Sequence, residues 1–100
     1  PVTVPSPVAV DESLHLGTPW PHPLRPGFDA RVELRCDHRH ASAVLTMHDL
    51  LGREVLRLWD GPLAPGRTEL QLRHSGLSPG VYLLRLRTEG ASIQRAVTLL

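Results

Sequence analysis

Lysine and asparagine are absent from the chain, so all eleven of its basic residues are arginine. Without asparagine there is no acceptor for an Asn-linked glycan. Without either residue no Lys–Asn isopeptide staple can form. A single cysteine, Cys36, excludes an internal disulfide. Aromatic side chains make up only 4% of the residues, so the core has to be aliphatic, built mainly from leucine and valine. No apolar run approaches the roughly 20 residues that a membrane-spanning helix needs. An excess of one charge is missing too. Eleven basic and ten acidic residues are mixed along the chain and leave +1, which offers no concentrated surface for nucleic acid.

What remains is an ordinary globular composition, 41% hydrophobic and 21% charged over 100 residues. That length supports one domain with one modest core. Pro1 in first position is what a processed or excised chain would show, and any export signal would then be gone.

The chain divides into an extended Pro/Val-rich strand or linker over residues 1–13 and a domain over 14–100. In the first segment Val2, Val4, Val8 and Val10 fall on even positions, and Pro1, Pro5 and Pro7 on odd ones. Period two is the strand signature. In an extended strand alternate N–H groups point to opposite edges, so the donors lost to proline lie along one edge and the other stays intact. Such a ribbon can pair on one side. Burial of the four valines offers about 6–8 kcal/mol, opposed by about 1 kcal/mol or more of backbone entropy per ordered residue. Main-chain hydrogen bonds must supply part of the difference. A stiff polyproline-like linker has the same composition. Thr3 and Ser6, flanked by proline, are candidate O-glycan acceptors on composition alone.

From Leu14 onward short apolar runs are cut by Gly and Pro. Leu14–Leu16 reads as a weak first strand. Arg31 to Cys36 alternates with Val32, Leu34 and Cys36 on one face, and Ala43 to Asp49 sets Leu45 and Met47 opposite Val44. Glu54 to Trp59 is apolar on both faces. Thr68, Leu70 and Leu72 alternate with Arg67, Glu69, Gln71 and Arg73, and strands follow over Val81 to Arg87 and Ser92 to Leu99. Seven strands at intervals of about 8–12 residues, with a turn signal in each gap, predict an all-β fold: an antiparallel Ig-like β-sandwich with an extended N-terminal strand.

Four stretches carry a resemblance over the last 85 or so residues. They are Pro21-His22-Pro23-Leu24; Leu45 to Val55 with its Asp49-Leu50-Leu51-Gly52-Arg53 core; Pro65-Gly66; and Leu77-Ser78-Pro79-Gly80-Val81-Tyr82 with its continuation to Leu86. In that order they resemble the C-terminal sorting domains of type IX secretion and the related Ig-like domain of flagellar-hook capping proteins. That family's pattern runs Pro-Asn-Pro-Phe, Tyr-Asp-x-x-Gly-Arg-x-Val, then Gly-Val-Tyr. Here His22 stands for Asn, Leu24 for Phe and His48 for Tyr. The resemblance implies a bacterial cell-surface or secreted domain in which Pro21, Pro23, Asp49, Gly52, Arg53, Gly80, Val81 and Tyr82 shape the fold. The residues have physical readings of their own. Asp49 suits a capped hairpin turn with Gly52 at positive φ, Pro79-Gly80 suits a type II turn, and Tyr82 offers a ring and a hydroxyl able to reach backbone.

Chemistry is thinly represented. Cys36, His38 and His40 would share a face in a continuous strand, and zinc or copper accepts such ligands. The run falls where a turn is expected, however, so no metal or other cofactor is assigned. No nucleophile elbow, phosphate loop or HExxH occurs, and Ser42, His48 and Asp49 do not make a triad. A stripe of Arg73, Arg85, Arg87 and Arg95 reads as solvated strand faces. Trp20 among prolines suits either a ligand-stacking ring or a cover over the open end of a sandwich.

The expectation is a non-enzymatic, extracellular or surface-exposed structural domain, the subunit of a filament formed when the N-terminal strand is donated to a neighbouring copy. Its partner would then be a second copy of itself. The alternative is a sorting domain that carries a larger cargo to secretion machinery. A third possibility is an adhesive module with Trp20 or the loops as its contact.

Overall fold

In the computed structural model, residues 14–100 are described. Seven strands follow one another: β1 (Leu14–Leu16), β2 (Ala30–Cys36), β3 (His40–His48), β4 (Glu54–Leu63), β5 (Gly66–Leu72), β6 (Gly80–Thr88) and β7 (Ser92–Leu99). They form two sheets, β1-β2-β5 and β4-β3-β6-β7, and the pairings between strands are antiparallel. All-β architecture is what the spacing predicts.

The period-two pattern explains which side of each strand is hidden. Val32, Leu34 and Cys36 of β2 are buried, as are Leu45 and Met47 of β3, Leu72 of β5 and Leu84 and Leu86 of β6. The core is leucine-rich, as the shortage of aromatics requires, and Tyr82 is the aromatic residue within it.

Glu54 to Trp59, apolar on both faces by sequence, is resolved by two bulges in β4. Leu45 faces Trp59 while Thr46 faces Arg57, and Met47 faces Leu56 while His48 faces Glu54, which leaves Leu58 and Val55 as extra residues. Each bulge resets the alternation. Glu54, Arg57 and Asp60, three apart in sequence, therefore lie on the same outer face. There the guanidinium of Arg57 donates to Glu54 Oε1 and Oε2, both at 3.1 Å, and to Asp60 Oδ2 at 2.7 Å. With its period restored, the strand runs on through Gly61 and Pro62 to Leu63, past Trp59 where the apolar run in the sequence ends.

The segment after β1 passes from one sheet to the other. Gly17 N–H donates to the Glu33 carbonyl at 2.9 Å, and Trp20 and Arg31 exchange two bonds of 2.8 Å. Beyond Pro21 and Pro23, the Leu24 N–H donates to the Thr98 carbonyl and Leu100 N–H donates to the Leu24 carbonyl, both at 2.8 Å. His22 Nε2 accepts from Thr98 N–H at 3.3 Å. Leu24, fully buried, thus seals the end of β7.

Candidate functional site

The register gives the sandwich two unlike ends. At one lie the start of β1 and the connections β2–β3, β4–β5 and β6–β7, since Leu14 faces Cys36, Cys36 faces Gly66 and Ala43 faces Thr88. At the other lie the segment before β2, the β3–β4 turn, the β5–β6 connection and the end of β7, since Ala30 faces Leu72 and Gly80 faces Leu99. Residues 1–13 join at the first end, and Leu99 and Leu100 lie at the second.

The first end is polar. Cys36 is buried where β2 stops, His38 is exposed in the turn, and His40 is buried where β3 begins, so the turn breaks the alternation that would align them. The Cys36 thiol donates to the Ala64 carbonyl at 3.2 Å. Burial first, then the nearby Asp37 carboxylate, pushes that thiol above its ordinary range. His38 and His40 stack with ring centres 4.6 Å apart. Glu89 joins the group, accepting from Ala41 N–H at 2.9 Å with its other oxygen 3.5 Å from His40 Nδ1. Its own backbone N–H, then that of Ala41, hold its carboxyl below the usual range. His40 Nε2 is buried with no hydrogen-bond partner. Among the described residues no three His, Cys, Asp or Glu side chains are placed to share a metal ion.

The second end is apolar. Six large hydrophobic side chains among the described residues stand exposed, namely Trp20, Phe28, Leu50, Leu51, Val81 and Leu100. All six belong to this end. Two clefts open there. One of about 500 Å³ lies between the 26–29 segment, the 74–79 connection and the chain end at Leu99 and Leu100. The other, about 430 Å³, lies between the β3–β4 turn and residues 76–82. Gly76, Leu77 and Pro79 line both, so they form a ridge between the two. Buried His74 holds the wall of the first cleft through Nε2 and the Phe28 carbonyl, 2.6 Å apart.

The wall of the second is the Asp49 turn. Asp49 Oδ1 accepts from the N–H groups of Leu51 (3.0 Å) and Arg53 (2.9 Å), and Oδ2 from Arg53 Nε at 2.8 Å. Gly52 takes φ +88°, which a residue with a Cβ adopts at a cost. The Arg53 N–H is the largest influence holding the Asp49 carboxyl below its usual range. With backbone and arginine satisfied by one carboxylate, Leu50 and Leu51 are held out into solvent. On the far side Tyr82, buried, donates its hydroxyl to the Ser78 carbonyl and pins the β5–β6 connection. Gly80 lies at φ +150° just before it, and Val81 is exposed beside the cleft.

Of the residues singled out in the sequence, Asp49, Gly52, Arg53, Gly80, Val81 and Tyr82 meet at this end, while Pro21 and Pro23 lead to Leu24 beside it. Val2, Val4, Val8 and Val10, with Thr3 and Ser6, lie outside the described residues. His48 is engaged with Thr46 Oγ1 at 2.8 Å and the Gly52 carbonyl at 3.3 Å, and Ser42 sits towards the other end of β3. The arginine stripe does not form. Arg85 and Arg87 face Thr46 and Val44 on the outer side, whereas Arg95 shares the inner side with Val97 and Leu99. Trp20 is 72% exposed, so it does not close the open end of the sandwich. Sequence reasoning missed the apolar end as a whole. Its one legible signal is Leu50-Leu51 at the tip of a turn, where polar residues are the norm.

Against known proteins, the chain matches no protein-family model and no curated sequence.

Proposed function

We propose that this chain is a non-enzymatic structural domain of the cell surface or extracellular space, an Ig-like sandwich that assembles through residues 1–13 onto a neighbouring copy. The observation that carries the reading is the polarity of the body: the N-terminal segment joins at the polar end, and the exposed apolar side chains gather at the other. A contact from the tail of one copy to the far end of the next uses two different surfaces. Such heterologous contacts extend into filaments unless the rotation closes a ring. The Ig-like reading is supported by the strand order and by a buried tyrosine bonded back to main chain four residues upstream. The sandwich carries its polar side chains in hydrogen bonds to its own turns, as with Asp49, His48 and Glu89, which suits a scaffold.

Electron microscopy of the purified chain beside a V4D/V8D variant tests this. Filaments or oligomers from the first and single particles from the second are expected; equal assembly by both contradicts it.

The sorting-domain reading has an observation of its own. Asp49, Gly52, Arg53 and Tyr82, which match the motif of the type IX family it resembles, build one corner of the domain. Fusion of residues 14–100 to a reporter in a type IX-competent cell, with export scored, tests that role.

A further inference from the structure

Resting on the self-assembly reading above, we infer that the seat for the tail is the pair of clefts straddling the Leu77–Pro79 ridge, not a sheet edge, and that its occupant is the valine face of residues 1–10 of a second copy.

Two of the four edge strands, β5 and β4, are poor acceptors, and the end of a third, β7, is taken. Arg31 exchanges its main-chain bonds with Trp20, so the antiparallel ladder turns the intervening residues of β2 toward β5. This leaves Arg67, Glu69 and Gln71 to carry the outer margin of β5, and all three are exposed. β4 is interrupted by its two bulges and Pro62, and its outward face bears the Glu54–Arg57–Asp60 network. The end of β7 is already paired with Leu24. Charge, proline and bulges on an edge are the features that keep strands from adding to it.

The apolar end has the opposite character. Phe28, Leu50, Val81 and Leu100 remain exposed around two adjoining hollows of about 500 and 430 Å³. An exposed apolar patch of this kind marks a binding surface. The tail has matching chemistry, with no charge from Pro1 to Val10 and four valines on one side. Its prolines lower the entropy lost on docking. Ten extended residues span about 33 Å, ample to cross both hollows. Because the tail joins its own body at the polar end, a copy stacked end to end presents its tail to this surface.

Two full-length variants test the seat by complementation. F28D/L50D spoils the clefts and keeps the tail; V4D/V8D spoils the tail and keeps the clefts. Both cleft substitutions are at exposed positions, and circular dichroism checks the fold. The milder F28S/L50S pair serves where aspartate disturbs the turn. In sedimentation velocity each variant alone is expected to associate at least about 100-fold more weakly than the parent. An equimolar mixture is expected to give a 1:1 dimer, one good tail in one good seat. If F28D/L50D assembles like the parent while V4D/V8D does not, the seat lies elsewhere and this inference fails while self-assembly stands. If the parent is monomeric, or V4D/V8D assembles normally, both fail.

Discussion

Arg95 on β7 donates through Nε to the main-chain carbonyl of Leu16 on β1 at 3.1 Å, and through a second nitrogen to Thr18 Oγ1 at 3.1 Å. These bonds tie the two sheets together along their β1–β7 side. Arg95 stands on the inner side of β7, where an unpaired charge would be costly. The guanidinium finds its acceptors on Leu16 and Thr18, at the side where β1 and β7 adjoin.

Arg95→Met keeps the stem and removes the donors. Leu16 is buried, so its carbonyl then loses a partner, at a cost of about 1–3 kcal/mol. Urea unfolding is expected to show a lower midpoint with an unchanged slope. An unchanged midpoint would mean that the bond contributes nothing net.

Tyr82→Phe removes only the hydroxyl that bonds the Ser78 carbonyl. The expected loss is about 0.5–1.5 kcal/mol, read by denaturant titration. A far larger loss would point to a packing role for the oxygen beyond that single bond.

The Asp49 turn is acid-sensitive. Its carboxyl titrates below the ordinary range because the Arg53 N–H, above all, bonds the ionised form. A carboxyl with a lowered folded pKa stabilises fully above its unfolded value, and that contribution disappears as pH falls through the folded value. Asp49→Ala is therefore less stable than the parent at pH 7, and the difference shrinks progressively below about pH 4. Glu54, lowered by its bonds to Arg57, and Glu89, lowered by main-chain N–H groups, act in the same direction and window. Paired unfolding curves at pH 7 and pH 3 read the effect.

Cys36 is buried, and its thiol is pushed up by that burial. The thiolate is the reactive form. Modification by a thiol reagent in the native protein is expected to run at least about 100-fold slower than in denaturant, gated by opening of the sandwich. Equal rates would place Cys36 at the surface.

The strands were largely legible because burial on one side imposes period two, and Val32, Leu34 and Cys36 or Thr68, Leu70 and Leu72 display it without interruption. Legibility failed where the period is reset or where one residue serves two surroundings. β4 reads past its expected end because bulges at Val55 and Leu58 shift its phase. Arg95 looks solvent-facing by type yet points inward, since only tertiary contact shows that its head finds acceptors on Leu16 and Thr18. Of the two readings of Trp20, a stacking ring or a cover, its exposure disfavours the cover. Apart from Leu50-Leu51 at its turn, the apolar end was not legible, because Phe28, Leu50, Val81 and Leu100 come from four separate segments, which only the fold gathers.

Sedimentation velocity of the unmodified chain over a hundredfold range of concentration tests the central claim most directly. Donation of residues 1–10 to the far end of a neighbour predicts a sedimentation coefficient that climbs steadily with concentration without settling at a dimer. A single monomeric species throughout would contradict it.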